Sequence, residues 1–435
     1  MIRIFFFIYN ILLIPLALFF FSIASLFNPK IRKGLQGRKK LFQKLKNEIS
    51  TLKARRQTIW FHVSSYGEFL QAKPVLDQLK LLNPKVFIFV TVFSPSGFEN
   101  IKVQQPVDYL CYLPFDTYFT IRKFVSIVNP EIAVIVRHDV WPNCVWRLFK
   151  QKIPLYLIDA SLPKNSSRLY PVFRTLNKGL FGKISEIFVI SEEEVPRFRA
   201  LGVDSDRIKI IGDTKYDQVY DRSQNKDKIS QLINHPNLMN KRVVVAGSSW
   251  QADEAILIPA FYKVLKKITN CFLIIAPHEP TQKRISEIEQ QCRELGINTV
   301  RWSELEKFKK ETHCIIIDRI GLLSNIYSMG EAAFVGGSFY FKIHNVLEPA
   351  VFGIPVFFGP KMTTSAEAYK LLEHEAAIKV NSVEQIANLL IRIFEEPKFA
   401  KKYGNKAKSL VMQNVGSSKK IAGFLVNRLK SGKSM

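Results

Sequence analysis

Cysteine is scarce: the 435-residue chain has five. Cys111, Cys144, Cys271, Cys292 and Cys314 show no Cys-x-x-Cys spacing. This excludes a small disulfide-stapled scaffold, signals neither a redox pair nor a zinc site, and suits reduced thiols in a cytosolic compartment. Histidine is also sparse, and His62, His138, His278 and His344 lack the clustered or i,i+4 spacing of metal ligands, so no bound metal is expected. There is no Gly-x-Gly-x-x-Gly, which argues against a nicotinamide or flavin enzyme, and no Gly-x4-Gly-Lys-[Ser/Thr], so a P-loop is absent. Acidic residues number 37 against 63 Lys and Arg, a formal charge of +26. The hydrophobic share, 47%, excludes a disordered chain, and the length suggests two or three domains.

The positive charge is concentrated at the ends. Residues 30–56 carry eleven Lys and Arg against Glu48 alone, and residues 401–435 carry nine with no acid. Neither run is interleaved with stacking aromatics or falls in a nucleic-acid-reading motif, so no nucleic-acid partner is expected. Ile4 to Phe27 contains no charge. At ~1.5 Å per residue it reaches ~36 Å, enough to cross a ~30 Å hydrocarbon layer. The run is too long for a cleaved signal peptide and lacks a small-x-small cleavage site before Asn28. With only Arg3 ahead of it and the basic run behind it, the positive-inside rule predicts a single span with the body in the cytoplasm. Arg38, Lys39 and Lys40 fall in the segment expected to meet anionic lipid head groups.

From Thr58 short apolar runs alternate with amphipathic ones. Runs at 58–63, 86–92, 132–136, 154–158 and 186–190 read as strands buried on both faces, with helices such as 69–82 and 192–201 between them. A polar stretch at 221–240 reads as a linker, and the alternation restarts at 242–247, 271–276, 313–318, 332–337 and 354–358. This predicts an α/β chain of two doubly wound parallel sheets with a cleft between them, divided as 1–28 anchor, 29–56 basic segment, 57–220 first domain, 221–240 linker, 241–412 second domain and 413–435 basic tail.

Ligands in such sheets bind where loops leave the strand ends. After the first strand comes His62-Val63-Ser64-Ser65-Tyr66-Gly67-Glu68. Glu68 is either a helix-start acid or a carboxylate placed to take a proton from an acceptor hydroxyl. Arg137-His138-Asp139-Val140-Trp141-Pro142-Asn143 is unusually rich in polar groups for a plain connection. In the second half, the loops at Gly247-Ser248-Ser249, Pro277-His278-Glu279 and Gly336-Gly337-Ser338 are compatible with phosphate, and His344-Asn345-Val346-Leu347-Glu348 opens a helix. Together they suggest a nucleotide on helix N-termini, with Glu348 accepting from a ribose hydroxyl.

At these residues the sequence resembles the bacterial 3-deoxy-D-manno-octulosonic acid (Kdo) transferases. The resemblance runs through WFHVSSYGE (60–68), YLPFD (112–116), VWPN (140–143), GDTKYD (212–217), AGSSW…DE (246–254), PHEP (277–280), FVGGS (334–338), HNVLEPA (344–350) and GIPVFFGP (353–360). It implies a GT-B fold of two Rossmann-like domains, inverting transfer of Kdo from CMP-Kdo to lipid IVA or a related lipid A precursor, and no essential metal or cofactor. By motif, Glu68 matches the catalytic base, while Lys215 and His278 match positions near the donor phosphate. Gly336, Gly337, Ser338, Asn345 and Glu348 match the nucleotide-binding motif, and Ser248 joins the donor-side residues. The resemblance also implies that the last helix returns to the first domain. The chain departs from the family in carrying Arg137-His138-Asp139 where Glu-x-Glu is usual, so Asp139 keeps one catalytic-site carboxylate on a shorter arm. Lys342-Ile343 replace Gly-Gly, and PHEP lacks a following arginine. A GT-B transferase using a UDP-sugar on a lipid-linked acceptor, and a catalytically weakened lipid A-binding homologue, remain alternative readings.

Overall fold

A computed structural model of the chain describes residues 2–54, 56–104, 106–224, 229–233, 235–363 and 365–431. Arg55 of the basic segment, residues 225–228 of the expected linker and residues 432–435 of the tail lie outside the described residues. The chain divides into two units, Met1–Gln218 with Gly416–Met435, and Val219–Val415.

The β-branched and aromatic runs of unit 1 form β1 (Thr58–Val63), β2 (Phe87–Val92), β3 (Tyr109–Tyr112), β4 (Ile132–Val136), β5 (Leu155–Ala160), β6 (Glu186–Val189) and β7 (Ile208–Ile210). They pair in parallel in the order β3-β2-β1-β4-β5-β6-β7. Every residue of β1, β2, β4 and β5 is buried, as expected of strands covered by helices on both faces. The chain winds outward from β1 to β3, then reverses to β4. The loops after β1 and β4 therefore leave neighbouring strand ends at the topological switch point, where ligand sites form in open α/β sheets.

Unit 2 repeats the plan with β8 (Arg242–Ser249), β9 (Cys271–Pro277), β10 (Thr299–Arg301), β11 (Cys314–Ile316), β12 (Ala332–Val335), β13 (Val356–Phe358) and β14 (Ala377–Lys379). Its parallel order is β10-β11-β9-β8-β12-β13-β14, so the switch point lies between β8 and β12. Part of the polar stretch expected as a linker packs into unit 2: Ile229, Leu232 and Leu238 are buried in its core beside Val243, Phe272 and Phe308.

The helix Ser417–Ser431 belongs to unit 1. Its Ile421, Ala422, Leu425, Val426 and Leu429 join the core formed by Ile59, Phe61 and the helix Tyr66–Leu82. Arg428 pairs with Glu186 at 2.6 Å, and Asp217 Oδ1 accepts from Ser418 Oγ at 2.6 Å and from the Gly416 N–H at 3.0 Å. The basic run of 401–435 is thus divided, with the helix Pro397–Asn414 in unit 2 and the rest in unit 1.

The apolar segment is helical from Ile2 to Phe27, with a π-helical stretch at Tyr9–Leu13. Pro15 lacks an N–H, and the wider turn just before it absorbs the missing bond. Phe5–Phe27, with mean hydropathy 2.3, is long and apolar enough to cross a membrane. Asn28 caps the next helix, Pro29–Arg38, by accepting from the Lys30 and Ile31 N–H groups.

Candidate active site

In unit 1 the geometry begins with β1 delivering its chain end to a capped helix. Ser65 Oγ accepts from the Glu68 N–H at 3.3 Å, and Glu68 Oε2 accepts from the Ser64 N–H at 2.6 Å. This reciprocal cap satisfies backbone donors that the first helical turn leaves over. It also fixes the Glu68 carboxylate at the β1 end. Glu68 is half-buried, and among the described residues its Oε1 accepts no hydrogen bond.

The neighbouring loop after β4 turns sharply at Arg137, whose φ of 66° is left-handed and disfavoured for a residue with a Cβ. That turn carries Arg137 Nε to Gln71 Oε1, 2.7 Å away and one turn beyond Glu68. His138 feels Glu68 directly. Burial and Arg168 push its imidazole pKa down, while the Glu68 carboxylate pulls it up. Glu68, Arg137, His138 and Arg168 therefore share one electrostatic neighbourhood.

Asp139 has a different attachment. Its Oδ2 accepts from His62 Nε2 at 3.0 Å and from Trp141 Nε1 at 3.1 Å. Burial raises its pKa, but the His62 and Trp141 donors outweigh it, and the carboxyl lies below its ordinary value. His62 Nδ1 in turn faces Thr91 Oγ1 at 3.0 Å, and Thr91 also accepts from Trp60 Nε1 at 2.8 Å. A neutral His62 donating from Nε2 and accepting at Nδ1 satisfies this chain. Asp139 thus orients the loop through one oxygen and keeps partial exposure.

Lys215 lies in unit 1, away from the unit that carries the other donor-side residues. Its N–H donates to Asp213 at 2.8 Å. Just before it, Thr214 donates through N–H and Oγ1 to the fully buried Asp159 and through Oγ1 to the Gln71 carbonyl at 2.8 Å. Burial and the nearby Asp213 raise Asp159 to about 7.

Unit 2 assembles its loops around a buried acid that the sequence reading did not single out. Asp253 accepts from the N–H groups of Gly337 at 2.7 Å, Phe339 at 2.9 Å and Trp250 at 2.9 Å. The Gly337 N–H, in a loop expected to be open to phosphate, and the Phe339 N–H beside it are thus occupied by a protein carboxylate. A Cβ on Gly336 would collide with the Ser248 carbonyl, so glycine is what lets the β8 and β12 loops touch. Ser248 itself has a left-handed φ of 53°. Ser338 is fully buried, donating to the Val335 carbonyl at 2.9 Å and accepting from the Gly359 N–H at 2.8 Å, so its hydroxyl serves the fold.

An aromatic stack stands beside these loops. His278 and His344 stack at 4.2 Å, and Trp250 lies 4.9 Å from His278 and 5.2 Å from Tyr340. Trp250 Nε1 donates to His344 Nε2 at 2.9 Å, leaving the proton of a neutral His344 on Nδ1. Further along, Asn345 Nδ2 approaches Glu348 Oε1 at 3.5 Å and Asn345 Oδ1 accepts from the Leu347 N–H at 3.2 Å. Arg222, also missed from sequence, reaches the same Glu348 oxygen at 3.5 Å. Unit 2 therefore brings Ser248, His278, Gly336, Gly337, Asn345 and Glu348 to the β8/β12 switch point.

Of the three basic residues expected at the membrane, Lys39 and Lys40 are exposed. Arg38 is held among the rings of Phe93, Tyr112 and Phe115 and donates to the Leu113 carbonyl at 2.8 Å and the Phe93 carbonyl at 2.9 Å. Among the described residues no group of three His, Cys, Asp or Glu is arranged to hold a metal.

Two doubly wound seven-stranded sheets, each with polar loops at its switch point, define a chain of the GT-B class. The UDP-GlcNAc 2-epimerase of Neisseria meningitidis, solved with UDP-GlcNAc, shares this fold with a TM-score of 0.59 at 15% identity, over 86% of this chain and 100% of that one. Residues 35–218 match the family model of the 3-deoxy-D-manno-octulosonic-acid transferases, or kdotransferases. The 3-deoxy-D-manno-octulosonic acid transferase of Haemophilus influenzae is 26% identical over 429 residues, 97% of each chain. Its counterpart in Aquifex aeolicus is 29% identical over 329 residues, 75% of this chain and 83% of that one. Along nearly its whole length the chain is similar to bacterial Kdo transferases.

Proposed function

We propose that the chain transfers Kdo from CMP-Kdo to a lipid A precursor such as lipid IVA, with inversion, at the cytoplasmic face of the inner membrane. The observation that carries this reading is the anchored Glu68 carboxylate: one oxygen is tied to the Ser64 N–H and the other is open at the switch point of unit 1. Such a group is held in place with one oxygen left to accept a proton.

In this reading unit 2 binds the donor. Glu348, steadied by Arg222 and Asn345, accepts from the ribose hydroxyls. The Trp250–His344–His278 stack offers aromatic faces and the His344 Nδ1–H to the nucleotide. Since Asp253 occupies the Gly337 and Phe339 N–H groups, phosphate charge in unit 2 falls to side-chain donors such as His278. Unit 1 supplies the base. The acceptor's primary hydroxyl attacks the anomeric carbon of Kdo, its proton passes to Glu68, and the bond from that carbon to the phosphate oxygen breaks. CMP leaves with the electron pair, its charge met by fixed donors. No metal takes part in these steps. Purified protein with CMP-Kdo and lipid IVA should yield a product heavier by one or more Kdo units, read by mass spectrometry. Thermal protection by UDP in preference to CMP would favour a UDP-sugar donor instead.

A further inference from the structure

The apolar helix contains two side chains that a lipid-crossing segment has no use for, and both are engaged by unit 1. Tyr9 is buried and donates its hydroxyl to Asp116 Oδ2 at 2.9 Å. Asn10 and Asn143 exchange amide hydrogen bonds at 2.9 and 3.2 Å. The receiving groups are built for this. Asp116 is buried and caps the helix Pro142–Lys150, accepting from the Asn143 N–H at 2.9 Å and the Cys144 N–H at 3.0 Å. Ring contacts extend the seam: Phe5, Phe6 and Tyr9 lie 5.9, 5.1 and 6.0 Å from Trp146, Phe6 lies 5.7 Å from Tyr118, and Phe21 lies 6.3 Å from Phe115.

From Phe5 to Phe21 the contacts cover roughly 24 Å of helix, most of a ~30 Å hydrocarbon layer. A helix that stood across the bilayer with these contacts intact would draw Asp116, Asn143 and the surrounding face of unit 1 into the lipid core. A helix that crossed alone would strip Asp116 of its hydroxyl donor and leave the Asn10 amide in hydrocarbon with only the Phe6 carbonyl of its own helix for a partner, at 3.0 Å, which is costly. Lying along the surface avoids both. The opposite face is apolar and exposed, at Phe7, Ile11, Leu12, Leu16, Phe19 and Phe20. The segment that follows carries exposed Lys30, Arg32, Lys39 and Lys40, and no acid precedes Glu48, which suits anionic head groups.

We propose that this helix is a clasp: Tyr9 and Asn10 lock it flat onto unit 1, and its outer face enters the hydrocarbon of the cytoplasmic leaflet without crossing to the other side. The proposal rests on the reading that the chain works at a lipid surface, and it replaces the single span expected from hydropathy. It gives the YLPFD and VWPN motifs, through Asp116 and Asn143, a structural task at the membrane.

The test uses the full chain in native membranes. With Cys144→Ser as background, Asn10→Cys and Asn143→Cys together should be bridged by a short bifunctional methanethiosulfonate reagent, because paired amides set their Cβ atoms farther apart than the about 3.5–4.5 Å of a direct disulfide. A linked peptide from most chains is expected by mass spectrometry after proteolysis, and none from Asn10→Cys alone. A cysteine inserted between Met1 and Ile2 should react with an impermeant maleimide only after spheroplasts are permeabilised; the five native cysteines are all buried. Absence of the 10–143 link overturns the clasp, and labelling of intact spheroplasts overturns the single-leaflet placement. Neither readout depends on sugar transfer, so a chain inert with CMP-Kdo leaves both unaffected.

Discussion

Replacing Glu68 by Gln separates the two tasks its carboxylate performs. A glutamine oxygen can still accept from the Ser64 N–H, now at 2.6 Å from Oε2, but the amide cannot take a proton. A hydrogen bond to a charged group contributes about 1.5–3 kcal/mol and a neutral one about 1 kcal/mol. The fold should therefore lose only about 1 kcal/mol, or roughly 2–4 °C in melting temperature for a unit of this size. Removing a general base costs ~10²–10⁴-fold in rate, about 3–5 kcal/mol of activation free energy. The Gln variant should thus be nearly as stable as the parent, remain protected by CMP, and turn over at least a hundredfold more slowly. Glu68→Ala should lose the cap as well and melt lower than Glu68→Gln. The assay is initial-rate CMP release with lipid acceptor, alongside melts with and without CMP. A Gln variant within about threefold of the parent rate would refute the assignment of Glu68 as base.

Asp253→Asn should destabilise unit 2 by about 2–4 kcal/mol in denaturant titration, because one amide oxygen cannot serve three N–H donors and the NH2 faces one of them. An unchanged midpoint would show that the loop N–H groups find other partners. Arg222→Ala should weaken CMP binding about tenfold, ~1.4 kcal/mol, with kcat less affected, since Glu348 loses a cation that positions it; calorimetry tests this. Burial, with His278 and Lys342 adding to it, holds His344 down to about 4 against an ordinary 6.5. Between those values the unfolded chain binds the extra proton, so stability should fall as pH drops from 6.5 towards 4, and melts of His344→Gln should show a flatter pH profile. Saturating EDTA should leave transfer unchanged, and a loss restored by magnesium would contradict the metal-free reading.

Ten of the fourteen strands were legible as apolar runs, and the four that were not share one property. β3, β7, β10 and β14 are the outermost strands of their sheets, three or four residues long. At β7, β10 and β14 an edge strand with one neighbour and partial cover needs no continuous apolar run, whereas β3, Tyr-Leu-Cys-Tyr, is apolar and nearly all buried but only four residues long. The place of Glu68 at a helix start was legible because a capped helix after a buried strand has a local signature, while its role as base came from the motif resemblance alone. Asp253 was not, because its partners Gly337 and Phe339 lie more than eighty residues away and only the β8/β12 pairing brings them close. Arg222 was missed for a related reason: it stands inside the polar stretch 221–240 that reads as a linker. The hydropathy of the first helix spoke of lipid, while the tie between Tyr9 and Asp116, separated by 107 positions, is invisible to any local window.

The helix Ser417–Ser431 closes the core of unit 1, although all of unit 2 intervenes in the chain. The last helix is made after all of unit 2, so unit 1 cannot complete its core until nearly the whole sequence has been synthesised. Until synthesis reaches Leu429, the surface of Ile59 and Phe61 beneath that helix is open, and a nascent chain would need shelter there. A cut between the units, made to express each separately, would strand that last piece on the wrong fragment unless it were supplied again.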